Sequence, residues 1–270
     1  MKVAIAQICS SREVADNLRL VAEQAQAAAD QGAELVVFPE ATMRAFGHNL
    51  TEIAEPIDGE FGQAVSRIAH DAGIAVLVGM FTPGHPSAGS GDKVRNTLLV
   101  AGPDGQRTSY DKIHLYDAFG FAESDTVDAG TEQVRISVGE ATVGLSICYD
   151  VRFPQLYINH AREGAQVLVV SASWGAGDGK IEQWQLVTRA RAVDATAFVL
   201  ACGQADPAAA RVDAKQGAPT GVGHSQVVSP LGQVIAEAGA APELLVVDLD
   251  LGQVEQARRS LPVLANARLS

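Results

Sequence analysis

The sequence predicts an α/β protein: two strand–helix–strand halves forming a two-layer sheet with helices outside. Three observations carry this. Short apolar runs alternate with segments of helical period along all 270 residues. The second half, from 141 to 203, repeats the outline of the first. Polar residues of chemical capability close strands, where α/β folds place their sites. Glu40 closes Leu35-Val-Val-Phe-Pro-Glu40, Lys112 lies in Tyr110-Asp-Lys112, and Cys148 ends the buried run Gly144-Leu-Ser-Ile-Cys148. No linker divides the chain, so residues 1–270 read as one domain.

The elements follow in order. Residues 2–8 read as a strand. Ser10-x-x-Glu13 has the spacing of a capping box, and Val14, Leu18, Val21, Ala25 and Ala29 then keep helical period to Gly32, the expected stop. Residues 34–38 form the next strand. Phe61, Val65, Ile68 and Ala72 mark a second helix, and 74–80 a buried strand. Residues 82–93 are a loop by composition. Strands near 94–101 and 106–113 flank Gly102-Pro-Asp-Gly105, a hairpin signal. The polar stretch 117–133 is long enough for a functional loop. Strand 141–147, helix 153–163, strand 166–171, helix 181–195 and strand 197–203 build the second half. Residues 205–221 read as a loop, 224–229, 233–236 and 244–248 as strands, and the C-terminus from Leu261 as an extended tail.

Composition bounds the function. A net charge of −12 argues against nucleic acid and anionic membrane as partners, because both need a basic face. No apolar run reaches the length of a membrane helix. The N-terminus enters a strand at once, without the long apolar region of a signal peptide. Three cysteines, Cys9, Cys148 and Cys202, make no disulfide framework, which points to a reducing, cytoplasmic setting. No His-x-x-x-His or Cys-x-x-Cys spacing appears, so no metal and no cofactor are expected. Gly175-Ala-Gly-Asp-Gly-Lys180 lacks the glycine spacing and the Ser or Thr of a phosphate loop, and reads as a loop beside the site.

A cysteine nucleophile needs a base, oxyanion donors and a proton for the leaving group. Cys148 precedes a predicted helix N-terminus, where backbone N–H groups favour a thiolate. The N–H of Tyr149 is placed as one oxyanion donor and Lys112 as a second. Glu40 can take the thiol proton and return it to departing ammonia. Glu123, in Phe121-Ala-Glu123-Ser, is a further carboxylate able to hold Lys112 charged. Arg152 reads either as a structural partner of Asp150 or as a ligand for a substrate carboxylate. Trp174 reads as pocket lining and Trp184 as core. His114 lies two residues from Lys112, but no orienting residue for a Cys–His pair is apparent.

Phe38-Pro-Glu40, Tyr110-Asp-Lys112-Ile-His-Leu and Ser146-Ile-Cys148-Tyr-Asp-Val-Arg-Phe-Pro resemble the three catalytic motifs of the nitrilase, or carbon–nitrogen hydrolase, superfamily, in the same order. Arg189-Ala-Arg191, Gly223-His-Ser-Gln-Val-Val-Ser-Pro-Leu-Gly232 and Val247-Asp248-Leu-Asp250 extend the likeness over nearly the whole chain. The resemblance implies an α-β-β-α sandwich that assembles as a homodimer or larger. It assigns the base to Glu40, oxyanion support to Lys112, the nucleophile to Cys148 and a fourth role to Glu123. Tyr149-Asp150 after the nucleophile is similar to the Nit branch of ω-amidases and deaminated-glutathione amidases, whereas nitrilases carry Trp-Glu there. The expected substrate is therefore a small carboxamide, hydrolysed without a cofactor. An N-carbamoyl amino acid hydrolase, a nitrilase and an inactive assembly partner are the alternatives; the intact Glu–Lys–Cys set weighs against the last.

Overall fold

Two six-stranded sheets pack face to face, and both follow one plan. The computed structural model describes residues 1–85, 93–118, 120–215 and 217–268. In chain order it contains β1 (Lys2–Gln7), α1 (Val14–Asp30), β2 (Leu35–Val37), α2 (Glu60–Ala72), β3 (Ala75–Pro83), β4 (Val94–Ala101) and β5 (Arg107–Asp111). A two-stranded ribbon, β6 (Asp117–Ala118) and β7 (Phe121–Ala122), leads to β8 (Arg135–Val138) and β9 (Ala141–Ile147). Then come α3 (Pro154–Arg162), β10 (Val167–Ala172), α4 (Lys180–Ala195), β11 (Phe198–Gly203) and the short α5 (Pro207–Ala210). β12 (Gln226–Val228), β13 (Val234–Glu237), β14 (Glu243–Asp248), α6 (Gly252–Ser260) and α7 (Val263–Asn266) complete the chain.

The sheet orders are β14-β1-β2-β3-β4-β5 and β8-β9-β10-β11-β12-β13. In each, three parallel strands are flanked by one antiparallel strand on one side and two on the other. The predicted internal repeat is thus real. One detail escapes the sequence: the first sheet's outer strand, β14, comes from the far end of the chain.

Strands buried on both faces explain the near-continuous apolar runs. Val3, Ile5, Leu35, Val37, Leu145, Val167 and Val169 point between the sheets. The alternate residues Ala4, Ala6, Val36 and Phe38 pack under α1 and α2. Leu168, Val170, Val199 and Ala201 do the same under α3 and α4. Two strand faces and two helical layers give the α-β-β-α sandwich that the resemblance implies.

Four expectations are corrected. Ser10 does not cap α1. It is buried and exchanges hydrogen bonds with Gln204, its N–H donating to Oε1 (2.9 Å) and its Oγ accepting from Nε2 (2.7 Å). The strand near 106–113 stops at Asp111, leaving Lys112 and His114 beyond its end. β8 and α6 are unforeseen: β8 is a four-residue edge strand, and α6 buries only Val254 and Ala257, too little for a clear apolar stripe. The C-terminal tail contains α7 rather than running fully extended. Residues 86–92 of the predicted loop 82–93 lie outside the described residues.

Candidate active site

The carboxyl ends of β2, β5, β9 and β10 meet at one edge of the sandwich, and each delivers a polar group there. The chain leaves β2 through Phe38-Pro39 and turns at Ala41 (φ +59°), bringing Glu40 under β3. That turn needs Gly79: a Cβ there would stand 2.6–2.8 Å from the backbone of Pro39, Glu40 and Ala41.

Lys112, directly after β5, is 2% exposed and lies between two carboxylates that are buried as deeply. Its Nζ donates to Glu40 Oε1 at 3.0 Å and to Glu123 Oε1 and Oε2 at 3.1 and 2.9 Å. Glu123 opens a single 3₁₀ turn after β7, and its Oε2 also accepts from the Tyr116 N–H (2.7 Å). Glu40 Oε2 accepts from the Ser173 N–H at 2.7 Å, which ties the first sheet to the end of β10 in the second. Burial pushes the Glu40 carboxyl above the usual carboxylate range; Lys112 offsets part of this, and Glu123 adds to it. For Lys112, burial opposes the charged form, but the two carboxylates outweigh it and hold the ammonium charged.

Cys148 sits at the tip of β9 with φ +45°, a left-handed conformation that costs a non-glycine residue about 1–3 kcal/mol. Its Sγ lies 3.9 Å from Ser173 O, alongside Glu40. The strained turn is held by Asp150, which has no exposed surface. Asp150 Oδ2 accepts from the Ile147 N–H (2.9 Å) and the Tyr110 hydroxyl (2.7 Å). Its Oδ1 accepts from the His114 N–H (2.9 Å) and meets Nδ1 at 2.7 Å. One carboxylate therefore fastens the Cys148 turn to the segment carrying Lys112. His114 has an orienting partner after all, and it stacks on Phe153 (3.7 Å between centroids) as part of this brace.

The helix expected at 153–163 is α3, and Cys148 precedes it, but not directly. A 3₁₀ turn, Cys148–Arg152, lies between, and α3 starts only at Pro154. Burial, and then the Glu40 carboxylate, push the Cys148 thiol well above its ordinary value, with Lys112 opposing. Both effects favour the protonated form of this thiol.

A cavity of about 350 Å³ opens over these groups. Tyr149, Arg152 and Trp174 all line it. Tyr149 packs edge-on against Tyr116 and Phe153. Arg152 does not pair with Asp150: its Nη2 donates to Gln183 Oε1 at 2.8 Å, and its guanidinium lies 5.1 Å from the Trp174 ring centroid. Trp184 is core, with its indole N–H on His224 O (2.7 Å). Phe46, Leu50, Tyr116, Phe121, Val127 and Gly175 complete the lining on one side, and Lys215, Gly217, Ala218 and Pro219, which the sequence did not mark, on the other.

Asn96 is the site residue that sequence reading missed. Fully buried on β4, its Nδ2 donates to Glu40 Oε1 at 2.7 Å and to Glu123 Oε1 at 3.2 Å. A lone Asn in Val94-Arg-Asn96-Thr carries no signal of chemistry by itself. Because its amide stabilises the charged form of Glu40, Asn96→Leu should raise the Glu40 pKa further. The acid limb of the kcat/KM profile should then move to higher pH. A lowered plateau with an unmoved limb would refute that role.

Among the described residues, no group of three or more His, Cys, Asp or Glu side chains is arranged to hold a metal ion, and no helix is long and apolar enough to cross a membrane.

Comparison with known proteins gives this arrangement a family. Hydrolase Rv0480c of Mycobacterium tuberculosis (strain ATCC 25618 / H37Rv) is 53% identical over 271 residues, covering 98% of this chain and 95% of that one. Omega-amidase NIT2 of Danio rerio is 34% identical over 274 residues, covering 99% and 94%. A solved mutant of the amidase from Nesterenkonia sp. AN1, in which acrylamide has added to the active-site cysteine, superposes with a TM-score of 0.76 at 28% identity, covering 97% and 98%. The carbon–nitrogen hydrolase family model matches residues 2–259. On this evidence the chain belongs to the carbon–nitrogen hydrolases, enzymes that cleave carbon–nitrogen bonds other than peptide bonds.

Proposed function

We propose that this enzyme is a cofactor-independent amidase for a small carboxamide bearing a carboxylate. The observation that carries it is the contrast between the cavity's floor and its walls. On the floor, Cys148, Glu40 and Lys112 converge. On the walls stand Arg152 and Lys215, neither paired with a carboxylate among the described residues. Unpaired cations in the cavity of a protein of net charge −12 favour an anionic substrate.

The reaction follows from the floor. Cys148 Sγ attacks the amide carbon while Glu40 takes its proton, so thiolate is generated only as the bond forms. The oxyanion develops between Lys112 Nζ and the Tyr149 N–H. Glu123 holds Lys112 charged and in place. Collapse of the tetrahedral intermediate breaks the carbon–nitrogen bond, and Glu40 returns the proton to departing ammonia. Glu40, again a carboxylate, then activates the water that cleaves the thioester, releasing acid and free thiol. The raised Glu40 pKa suits both proton transfers, since a base poised nearer neutrality accepts and returns a proton more readily.

The test is ammonia release from 2-oxoglutaramate, 2-oxosuccinamate, N-carbamoyl-β-alanine and a simple nitrile, and cysteinylglycine release from deaminated glutathione, with Cys148→Ala as control. Turnover of an oxo-acid amide, abolished in the variant, is expected. Turnover retained in Cys148→Ala overturns the mechanism. Carbon dioxide released with ammonia identifies a carbamoyl substrate instead, and turnover of the nitrile alone a nitrilase.

A further inference from the structure

We infer that Gln204 is a positioning residue: reaching out of the second sheet, it holds the main chain of Glu40 so that the carboxylate stays beside Cys148. This rests on Glu40 being the base in the amidase reading above and adds to it.

The base and the nucleophile come from different sheets, Glu40 after β2 and Cys148 after β9. The faces that pack between those sheets are apolar. Apolar burial holds two surfaces together but is non-directional, whereas a misplacement of about 1 Å between reacting groups already costs about 100-fold in rate. Directional bonds across the interface have to set the offset.

Such bonds concentrate on the Glu40 turn. Three successive carbonyls there accept from side chains: Phe38 O from Ser171 Oγ (2.9 Å), Pro39 O from Thr42 Oγ1 (2.7 Å) and Glu40 O from Gln204 Nε2 (2.9 Å). Thr42 is local, but Ser171 on β10 and Gln204 just after β11 belong to the second sheet. The turn they grip is strained, with Ala41 at φ +59°, and a strained turn persists only where its surroundings hold it.

The Gln204 amide fits in one orientation. It is 3% exposed, its Oε1 accepts from the Ser10 N–H (2.9 Å), and its Nε2 donates to Ser10 Oγ (2.7 Å) as well as to Glu40 O. A flipped amide would set N–H against N–H and oxygen against oxygen. The main-chain N–H of Gln204 donates to Ala172 O (3.0 Å), one residue before Ser173, whose own N–H holds Glu40 Oε2. Two neighbouring strands of the second sheet therefore hold Glu40 at both ends, by its main chain and by its carboxylate. Gly221 (φ +111°) leaves room for this: a Cβ there would stand 2.6 Å from Gln204 Cβ.

The experiment reads the placement of Glu40 without a substrate. The Glu40 carboxylate helps to keep the Cys148 thiol protonated, so a carboxylate that drifts away should quicken alkylation of Cys148 by iodoacetamide. Gln204→Met keeps the side chain's length and burial but none of its hydrogen bonds. It should raise the alkylation rate at pH 8 about tenfold, toward that of Glu40→Gln, while Cys9 and Cys202 stay unreactive. The kcat for 2-oxoglutaramate should fall about 100-fold, with KM changed less than about threefold. Gln204→Asn, whose amide falls a methylene short of Glu40 O, should show the same pair of changes and serves where Gln204→Met does not fold. Ser10→Ala removes a buried partner of Gln204 but spares the bond to Glu40 O, and should stay within about threefold of the parent in both readouts. Alkylation and kcat unmoved in the Gln204 variants, or moved as far by Ser10→Ala, overturns the positioning role. Faster alkylation in the Gln204 variants of a parent that hydrolyses no amide supports the role and refutes the amidase reading instead.

Discussion

Replacing Lys112 by Met is expected to lower turnover at least 100-fold and to destabilise the fold by about 3–5 kcal/mol. The first effect follows from losing a charged oxyanion donor in a water-poor site. The second follows from what remains. Glu40 and Glu123 are both buried, share the Lys112 ammonium and the Asn96 amide, and sit at the junction of the two sheets. Removing the Lys112 cation from between two buried carboxylates leaves uncompensated charge. At neutral pH the two cannot both stay ionised, so one must take up a proton. Stability of the variant should therefore rise as pH falls through the raised Glu40 titration, opposite to the usual acid loss of carboxylate pairs. Urea unfolding at several pH values measures this. The triple variant Lys112→Met, Glu40→Gln, Glu123→Gln separates the two effects: it should recover most of the stability and none of the activity. A single variant as stable as the parent at pH 8 would refute the electrostatic account of the floor.

What the sequence made legible, and what it hid, divides along physical lines. Glu40 and Cys148 were readable because each closes an apolar run, and Lys112 because Tyr110-Asp-Lys112-Ile-His-Leu resembles a catalytic motif in the right order between them. The two halves were readable because strands buried on both faces need continuous apolar runs. Asn96 was hidden because it lies inside a strand, and its buried amide is explained only by carboxylates 56 and 27 residues away. Asp150 was visible as a neighbour of the nucleophile, but its function was not: its partners Tyr110 and His114 come from the other sheet's edge. Lys215 was hidden in an Ala-, Pro- and Gly-rich stretch whose path over the cavity no local pattern encodes. The thiol's surroundings were hidden for a related reason. Helix propensity after Pro154 is real, but Cys148 stands one 3₁₀ turn upstream of it and beside a carboxylate from the other sheet.

Those surroundings yield the most discriminating prediction. Glu40→Gln should cut turnover about 10²–10⁴-fold, the usual contribution of a general base. The same substitution removes the negative charge that helps to keep Cys148 protonated, while Lys112 stays charged through Glu123. The thiol pKa must therefore fall, and the thiolate fraction at pH 8 must rise. Alkylation of Cys148 by iodoacetamide, which needs thiolate but no proton delivery to a leaving group, should be as fast as in the parent or faster. Cys9, whose thiol burial pushes up to about 11, and the fully buried Cys202 supply unreactive internal references. Turnover and alkylation are thus expected to move in opposite directions. Were both to fall together, Glu40 would be maintaining a resting thiolate, and the coupled proton transfer proposed here would be wrong. Were turnover to survive, the proton would be travelling by another route, and Glu123, held on the far side of Lys112, would be the next residue to remove.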